Sequence, residues 1–226
     1  MAVTKLFGAR IKRREDPRLI AGKASYTDDI KLAGLLHAVI VRSPHAHARI
    51  TRIDVASARQ TPGVVAVFTG ADLTGKVGPL PCAWLIPNSE LKTPAHPAIA
   101  VDRVRYVGDA VAVVVADDRY SARDGAELVQ VEYEPLPVVT DAEQAVRPGA
   151  PLLHDEVPDN VTFRWKLSGG DAGAAFGQAA RVIKQRFVNQ RLIANPIETR
   201  AAVAQYRADT GELTLWVTSQ NPHIHR

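Results

Sequence analysis

Several residues in this chain have the chemistry to hold a metal, an anion or a reacting group. His45 and His47 flank Ala46 in an extended context, which would set both rings on one face, and His37 is close by in sequence. Three imidazoles could serve zinc, but zinc needs a further converging ligand and oriented partners behind it. The same alternation is ordinary in packed strands, so surface or packing histidines are expected and no metal site is assigned. His223 and His225 repeat the spacing just past a helix start, where such neighbours point apart. Cys82 is the single cysteine, so an intrachain disulfide and a thiolate-only metal site are both excluded. Gly169-Gly170-Asp171 precedes a helix and could offer backbone N–H groups to a phosphate. Asp171 would repel an anion there, and the spacing fits neither nucleotide-binding pattern, so a turn and helix cap is the preferred reading. Patterns of the G-x-S-x-G, H-E-x-x-H and Cys-His kinds are absent, and no residue of this chain is assigned as catalytic. Glu198 and Gln220 sit beside apolar strands, where a buried polar group must find a partner. Residue type alone makes neither of them catalytic.

The elements that must position these residues are legible from periodicity. Leu35–Val41 and Arg49–Asp54 read as strands interrupted at Pro44. Asp54 can cap a short helix over Val55–Gln60, stopped by Pro62-Gly63, and Val64–Phe68 returns as a strand. Ala71–Pro97 has no sustained period and reads as a long irregular excursion. Val104–Val107 is a strand, followed by a turn at Gly108-Asp109. The β-branched apolar run Ala110–Ala116 is too short for a core helix and predicts a buried central strand. Asp117 or Asp118 caps a helix over Arg119–Val129, and Val131–Tyr133 is a strand ended by Pro135 and Pro137. After a connector over Asp141–Asn160, strands are expected at Thr162–Leu167, Val182–Val188, Thr199–Tyr206 and Glu212–Val217, with a helix at Asp171–Ala180. The last two strands join at Asp209-Thr210-Gly211. Asn221-Pro222 marks another helix start, so the chain is expected to be the front part of a longer protein.

Composition bounds what this architecture can serve. With 226 residues, 46% apolar and 23% charged, the chain is of ordinary globular make-up and long enough for one large or two small domains. Its net charge of +4 is spread out except at Arg10–Arg14, and aromatics are 6%, too few to pair with a basic face for nucleic-acid binding. No nucleic-acid partner is expected. The longest apolar run falls far short of a membrane span, and the N-terminus lacks the order of a secretory signal, so a cytoplasmic protein is expected.

Read in order, Arg14-Glu15-Asp16-Pro17-Arg18, Gly22–Ile30, Arg42-Ser43-Pro44-His45-Ala46-His47-Ala48-Arg49-Ile50 and Pro62-Gly63-Val64 resemble the large, molybdenum-binding subunit of the xanthine dehydrogenase/aldehyde oxidase family. Val107-Gly108-Asp109, Glu132–Pro137, Gly211–Trp216 and Gln220-Asn221-Pro222-His223 extend that resemblance over nearly the whole chain, closest to the carbon monoxide dehydrogenase branch. The resemblance implies an α/β (α+β) fold. It places an N-terminal arm at 1–15, an α/β hammerhead domain at 16–141, a linker at 142–159 and the incomplete beginning of a molybdopterin-binding domain at 160–226. It also implies a cofactor role for Gln220, whose neutral amide can donate to an oxo ligand of molybdenum without adding charge. Glu198 is not the family's general base, which belongs to a later segment, and the His45–His47 motif belongs to the hammerhead. The implied cofactor is molybdenum–molybdopterin, in the cytosine dinucleotide form, with none bound to this chain alone. The implied reaction is oxidative hydroxylation of an aldehyde or N-heterocycle with water as oxygen source, or oxidation of carbon monoxide. The implied partners are an iron–sulfur small subunit and an FAD medium subunit, assembled as a dimer of heterotrimers. The competing reading is a stand-alone hammerhead interaction module without catalysis.

Overall fold

The computed structural model describes residues 8–82, 87 and 89–225. In chain order, helix α1 (Asp16–Ile20) and a 3-10 turn (Thr27–Asp29) precede strands β1 (His37–Arg42) and β2 (Ala48–Asp54). Helix α2 (Ala56–Arg59), strand β3 (Val64–Thr69) and helix α3 (Gly70–Leu73) follow. Further along the chain come β4 (Arg103–Val104), β5 (Ala110–Ala116), α4 (Arg119–Glu127), β6 (Gln130–Pro135) and α5 (Ala142–Ala145), and the first residues of the expected irregular excursion, 71–73, belong to α3. The chain continues through α6 (Ala172–Gln178), β7 (Ala202–Arg207), β8 (Glu212–Val217) and α7 (Pro222–His225). Two compact units emerge. One is Gly34–Val182; the other combines the chain up to Ala33 with the chain from Ile183 onward.

The Gly34–Val182 unit is built around the apolar run that the sequence singles out. β5 is central in an antiparallel sheet ordered β1-β5-β3, so its N–H and C=O groups are paired on both sides. Val111 joins a cluster with Ala48, Ala100 and Val104, while Val114 joins another with Ala58 and Val67, against which Ala126 and Val129 pack. Residues 111 and 114 have opposite parity on a strand, so β5 feeds a core on each of its faces. Each of these two valines is fully buried and contributes about 1.5–3 kcal/mol of transfer free energy. A second antiparallel sheet, β4-β2-β6, supplies Ala48 and Val104. Asp118 caps α4 by accepting from the Tyr120 and Ser121 N–H groups, which holds the helix where its Gly125 passes close to Val64 and Val114.

Several expectations are corrected. Thr162–Leu167 and Val182–Val188 are not strands: the backbone there is irregular, and a strand exists only where a ladder partner lies alongside. β4 is shorter than Val104–Val107, because the chain leaves the ladder for the turn in which the Asp109 N–H donates to the Tyr106 carbonyl at 3.2 Å. Gly108, at φ 94°, supplies the left-handed residue that turn requires. Asp54 accepts from Ala56 N–H at 3.0 Å, although the residue flanking α2 is Val55. The second unit contains the β7–β8 hairpin, paired from Ala202↔Val217 to Arg207↔Glu212 across the expected turn.

Candidate functional site

The histidine motif is the first place to look for chemistry, and its geometry is structural. Residues 43–47 bend rather than run as a strand, which overturns the expectation of both rings on one face. His45 stacks obliquely on Tyr133, with ring centroids 4.8 Å apart. His47 is buried, and its Nδ1 lies 2.9 Å from the Pro137 carbonyl. A carbonyl only accepts, so Nδ1 carries the proton. The His47 carbonyl in turn accepts from Leu136 N–H at 2.9 Å. His37, at the far end of β1, lies near Asp118 instead. Among the described residues, no group of three His, Cys, Asp or Glu side chains is disposed to hold a metal ion.

Three sequence motifs meet at this bend. Ser43 donates its N–H to the Asp109 carbonyl and accepts from Gly108 N–H, both at 2.8 Å. The buried Asp109 carboxylate accepts from Arg105 N–H at 3.0 Å and from the Tyr106 hydroxyl. Burial and then the Asp109 charge push the Tyr106 phenol above its ordinary pKa. The result is a polar knot joining Arg42–Ile50, Val107–Asp109 and Glu132–Pro137. Spacing gave no sign that these segments would converge.

A second polar cluster lies where the 150–160 segment crosses β4. Arg105 donates to the Leu153 carbonyl at 3.3 Å, Arg103 pairs with Asp155 at 3.4 Å, and Val157 is buried. His47 Nε2, Arg103 Nε and His154 Nδ1 are buried there without hydrogen-bond partners among the described residues. Burial, reinforced by the Arg105 charge, holds His154 below the ordinary imidazole pKa, with Glu156 opposing.

The remaining candidates occupy separate places. Asp171 accepts from Ala174 N–H at 2.8 Å, making Gly169-Gly170-Asp171 a turn and cap. Cys82 is exposed. Gln220 is exposed in the bend between β8 and α7, where Asn221 N–H donates to Ser219 Oγ at 3.1 Å. That bond closes a tight turn with the Gln220 side chain at its apex. Glu198 accepts from the backbone N–H of Thr27 at 2.8 Å, a partner that sequence reasoning missed, because the two are 171 positions apart.

Residues 21–137 match the family described as aldehyde oxidase and xanthine dehydrogenase, a/b hammerhead domain. Residues 153–226 match the molybdopterin cofactor-binding domain. The nicotine 6-hydroxylase large subunit of Paenarthrobacter nicotinovorans is 41% identical over 218 residues, covering 96% of this chain and 26% of that protein. The carbon monoxide dehydrogenase large chain of Afipia carboxidovorans is 41% identical over 232 residues, covering 97% of this chain and 28% of that one. The crystal structure of quinoline 2-oxidoreductase from Pseudomonas putida 86 superimposes with a TM-score of 0.83 at 41% identity, covering 94% of this chain and 27% of that one. The chain therefore spans about a quarter of the length of the relatives it matches. With a hammerhead match over more than half of its residues and a molybdopterin-domain match after it, the chain belongs to the aldehyde oxidase/xanthine dehydrogenase family.

Proposed function

We propose that this chain is the N-terminal portion of the large catalytic subunit of a cytoplasmic molybdenum-dependent oxidoreductase. The observation that carries the reading is Gln220. It lies within the stretch matching the molybdopterin cofactor-binding domain and is held at the apex of a tight turn with its side chain exposed. A carboxamide suits a ligand rich in oxo and sulfur atoms: it donates through its N–H groups, carries no charge, and does not compete as a strong metal ligand. The residues present therefore fit a molybdenum–molybdopterin group, proposed as the cytosine dinucleotide form, with Gln220 as the contact from this chain. When bound, that group supplies two-electron oxidation of the substrate with water as the oxygen source.

What this chain contributes to such chemistry is a hydrogen-bond donor carried on a backbone that its own hydrogen bonds turn. The β7–β8 ladder delivers the backbone to Thr218, and the Ser219–Asn221 bond turns it, so the backbone that carries Gln220 is set by local hydrogen bonds while its side chain faces outward. Preorganised donors stabilise developing charge without reorganisation at the moment of reaction. The substrate class proposed is an aldehyde, an N-heterocycle or carbon monoxide, in line with the relatives' names. Iron–sulfur and FAD subunits are the proposed partners, in a dimer of heterotrimers.

The test is rapid-reaction reduction by substrate in the native assembly containing this chain, normalised to molybdenum content. Gln220→Ala is expected to slow reduction about a hundredfold, the usual loss for one preorganised donor, with cofactor content intact. An unchanged rate per molybdenum removes Gln220 from the site. An assembly that holds no molybdenum overturns the whole reading.

A further inference from the structure

We propose that Glu198 is a positioning residue: together with Thr27 and Thr218 it ties the N-terminal 3-10 turn to the end of β8 and so fixes the backbone that presents Gln220. This rests on the reading of Gln220 given above.

The argument begins with burial. Every buried apolar side chain among the described residues lies between Ala48 and Val157, within the Gly34–Val182 unit. In the other unit, Thr27, at 9% exposure, is the single buried position among the described residues, while Ile197 beside Glu198 is 98% exposed. An apolar core does not hold these segments together. Specific polar bonds must.

Those bonds form a continuous path. Glu198 Oε1 accepts from Thr27 N–H at 2.8 Å. That N–H belongs to the first residue of the 3-10 turn, one of the donors that a helical turn leaves without an internal partner. A carboxylate supplies the strong, charge-assisted form of the bond. Thr27 Oγ1 lies 3.4 Å from Thr218 Oγ1, and Thr218 Oγ1 donates to the Thr199 carbonyl at 3.3 Å. A hydroxyl has one proton, so Thr27 is the donor in the first of these contacts. Thr218 N–H donates to the Ala201 carbonyl at 3.0 Å, carrying the β7–β8 pairing one step beyond Ala202↔Val217. Two residues further on stands Gln220. Glu198 is thus the acceptor that seats Thr27, and Thr27 is the donor that orients the Thr218 hydroxyl at the base of the Gln220 turn.

The experiment is NMR on the isotopically labelled 226-residue chain, following backbone amide exchange and the side-chain amide resonances of Gln220. Glu198→Ala is expected to speed exchange at Thr27 and over 218–221 about tenfold, the worth of one ordinary hydrogen bond, and to shift the Gln220 resonances. Glu198→Gln keeps an acceptor oxygen in place and is expected to restore both to near wild type. Glu198→Met keeps the length of the side chain without an acceptor and is expected to behave like Glu198→Ala, whereas a role in bulk packing would make it behave like Glu198→Gln. Unmoved exchange at 218–221 in Glu198→Ala, or a Glu198→Gln variant indistinguishable from it, overturns the proposal. Should Glu198→Ala also loosen Ala110–Ala116, Thr218→Val decides, since it deletes the hydroxyl and keeps the N–H. Faster exchange at 219–221 in that variant supports the path, and unchanged exchange refutes it. Failure of the Gln220 reading would appear elsewhere, as a wild-type reduction rate in Gln220→Ala, with the exchange results intact.

Discussion

Asp109→Ala is the perturbation that best separates a structural knot from a functional one in the hammerhead region. Asp109 is 6% exposed, and its carboxylate accepts from Arg105 N–H at 3.0 Å and from the Tyr106 hydroxyl. Its own backbone bonds to Ser43 and Tyr106 survive the substitution. Truncation leaves one half-buried N–H without an acceptor, costing about 1–3 kcal/mol, and a half-exposed phenol that water can satisfy at about 0.5–1 kcal/mol. The sum is about 1.5–4 kcal/mol, which for a unit of this size lowers Tm by about 4–12 °C. Asp109→Asn keeps one acceptor oxygen and is expected to lose roughly half as much. Thermal and urea unfolding of the chain, followed by circular dichroism, reads both variants. A loss below about 1 kcal/mol for Asp109→Ala would refute the account of the knot, because the orphaned half-buried Arg105 N–H alone is expected to cost about that much.

Other outcomes follow from the same physics. His154 has a folded pKa below its unfolded value of 6.5, so its proton is taken up by the unfolded chain first. Stability is therefore present above pH 6.5 and lost as pH falls from 6.5 through the folded pKa; His154→Gln should flatten that part of a Tm-against-pH curve, and an unchanged slope would remove His154 as the cause. At Gly70 an added Cβ would overlap the Ala100 carbonyl oxygen, so Gly70→Ala should destabilise by about 1–3 kcal/mol in urea unfolding despite the better helix propensity of alanine. The 226-residue chain alone should retain no stoichiometric molybdenum on metal analysis, because one exposed amide cannot enclose a pterin cofactor.

Particular elements show how far the residues speak for themselves. Ala110–Ala116 declared a central strand through length and β-branching alone, and it is β5 with the same bounds. Asp171 declared a helix cap, and Asp117 or Asp118 another that the structure assigns to Asp118, since a cap is a bond between residues two or three apart. The turn at Asp209-Thr210-Gly211 was equally local, and the run of motifs by itself carried the family resemblance. Thr162–Leu167 and Val182–Val188 had the composition of strands and did not become them, because β-structure needs a partner that composition does not supply. Only the tertiary structure decided that Ser43 meets Asp109, that His47 grips Pro137, and that Glu198 reaches back to Thr27. Caps, turns and periodicity are set by bonds within a few residues and so are written in the chain's order. Contacts separated by 66, 90 or 171 positions depend on which folded arrangement brings the segments together, and no local pattern encodes that.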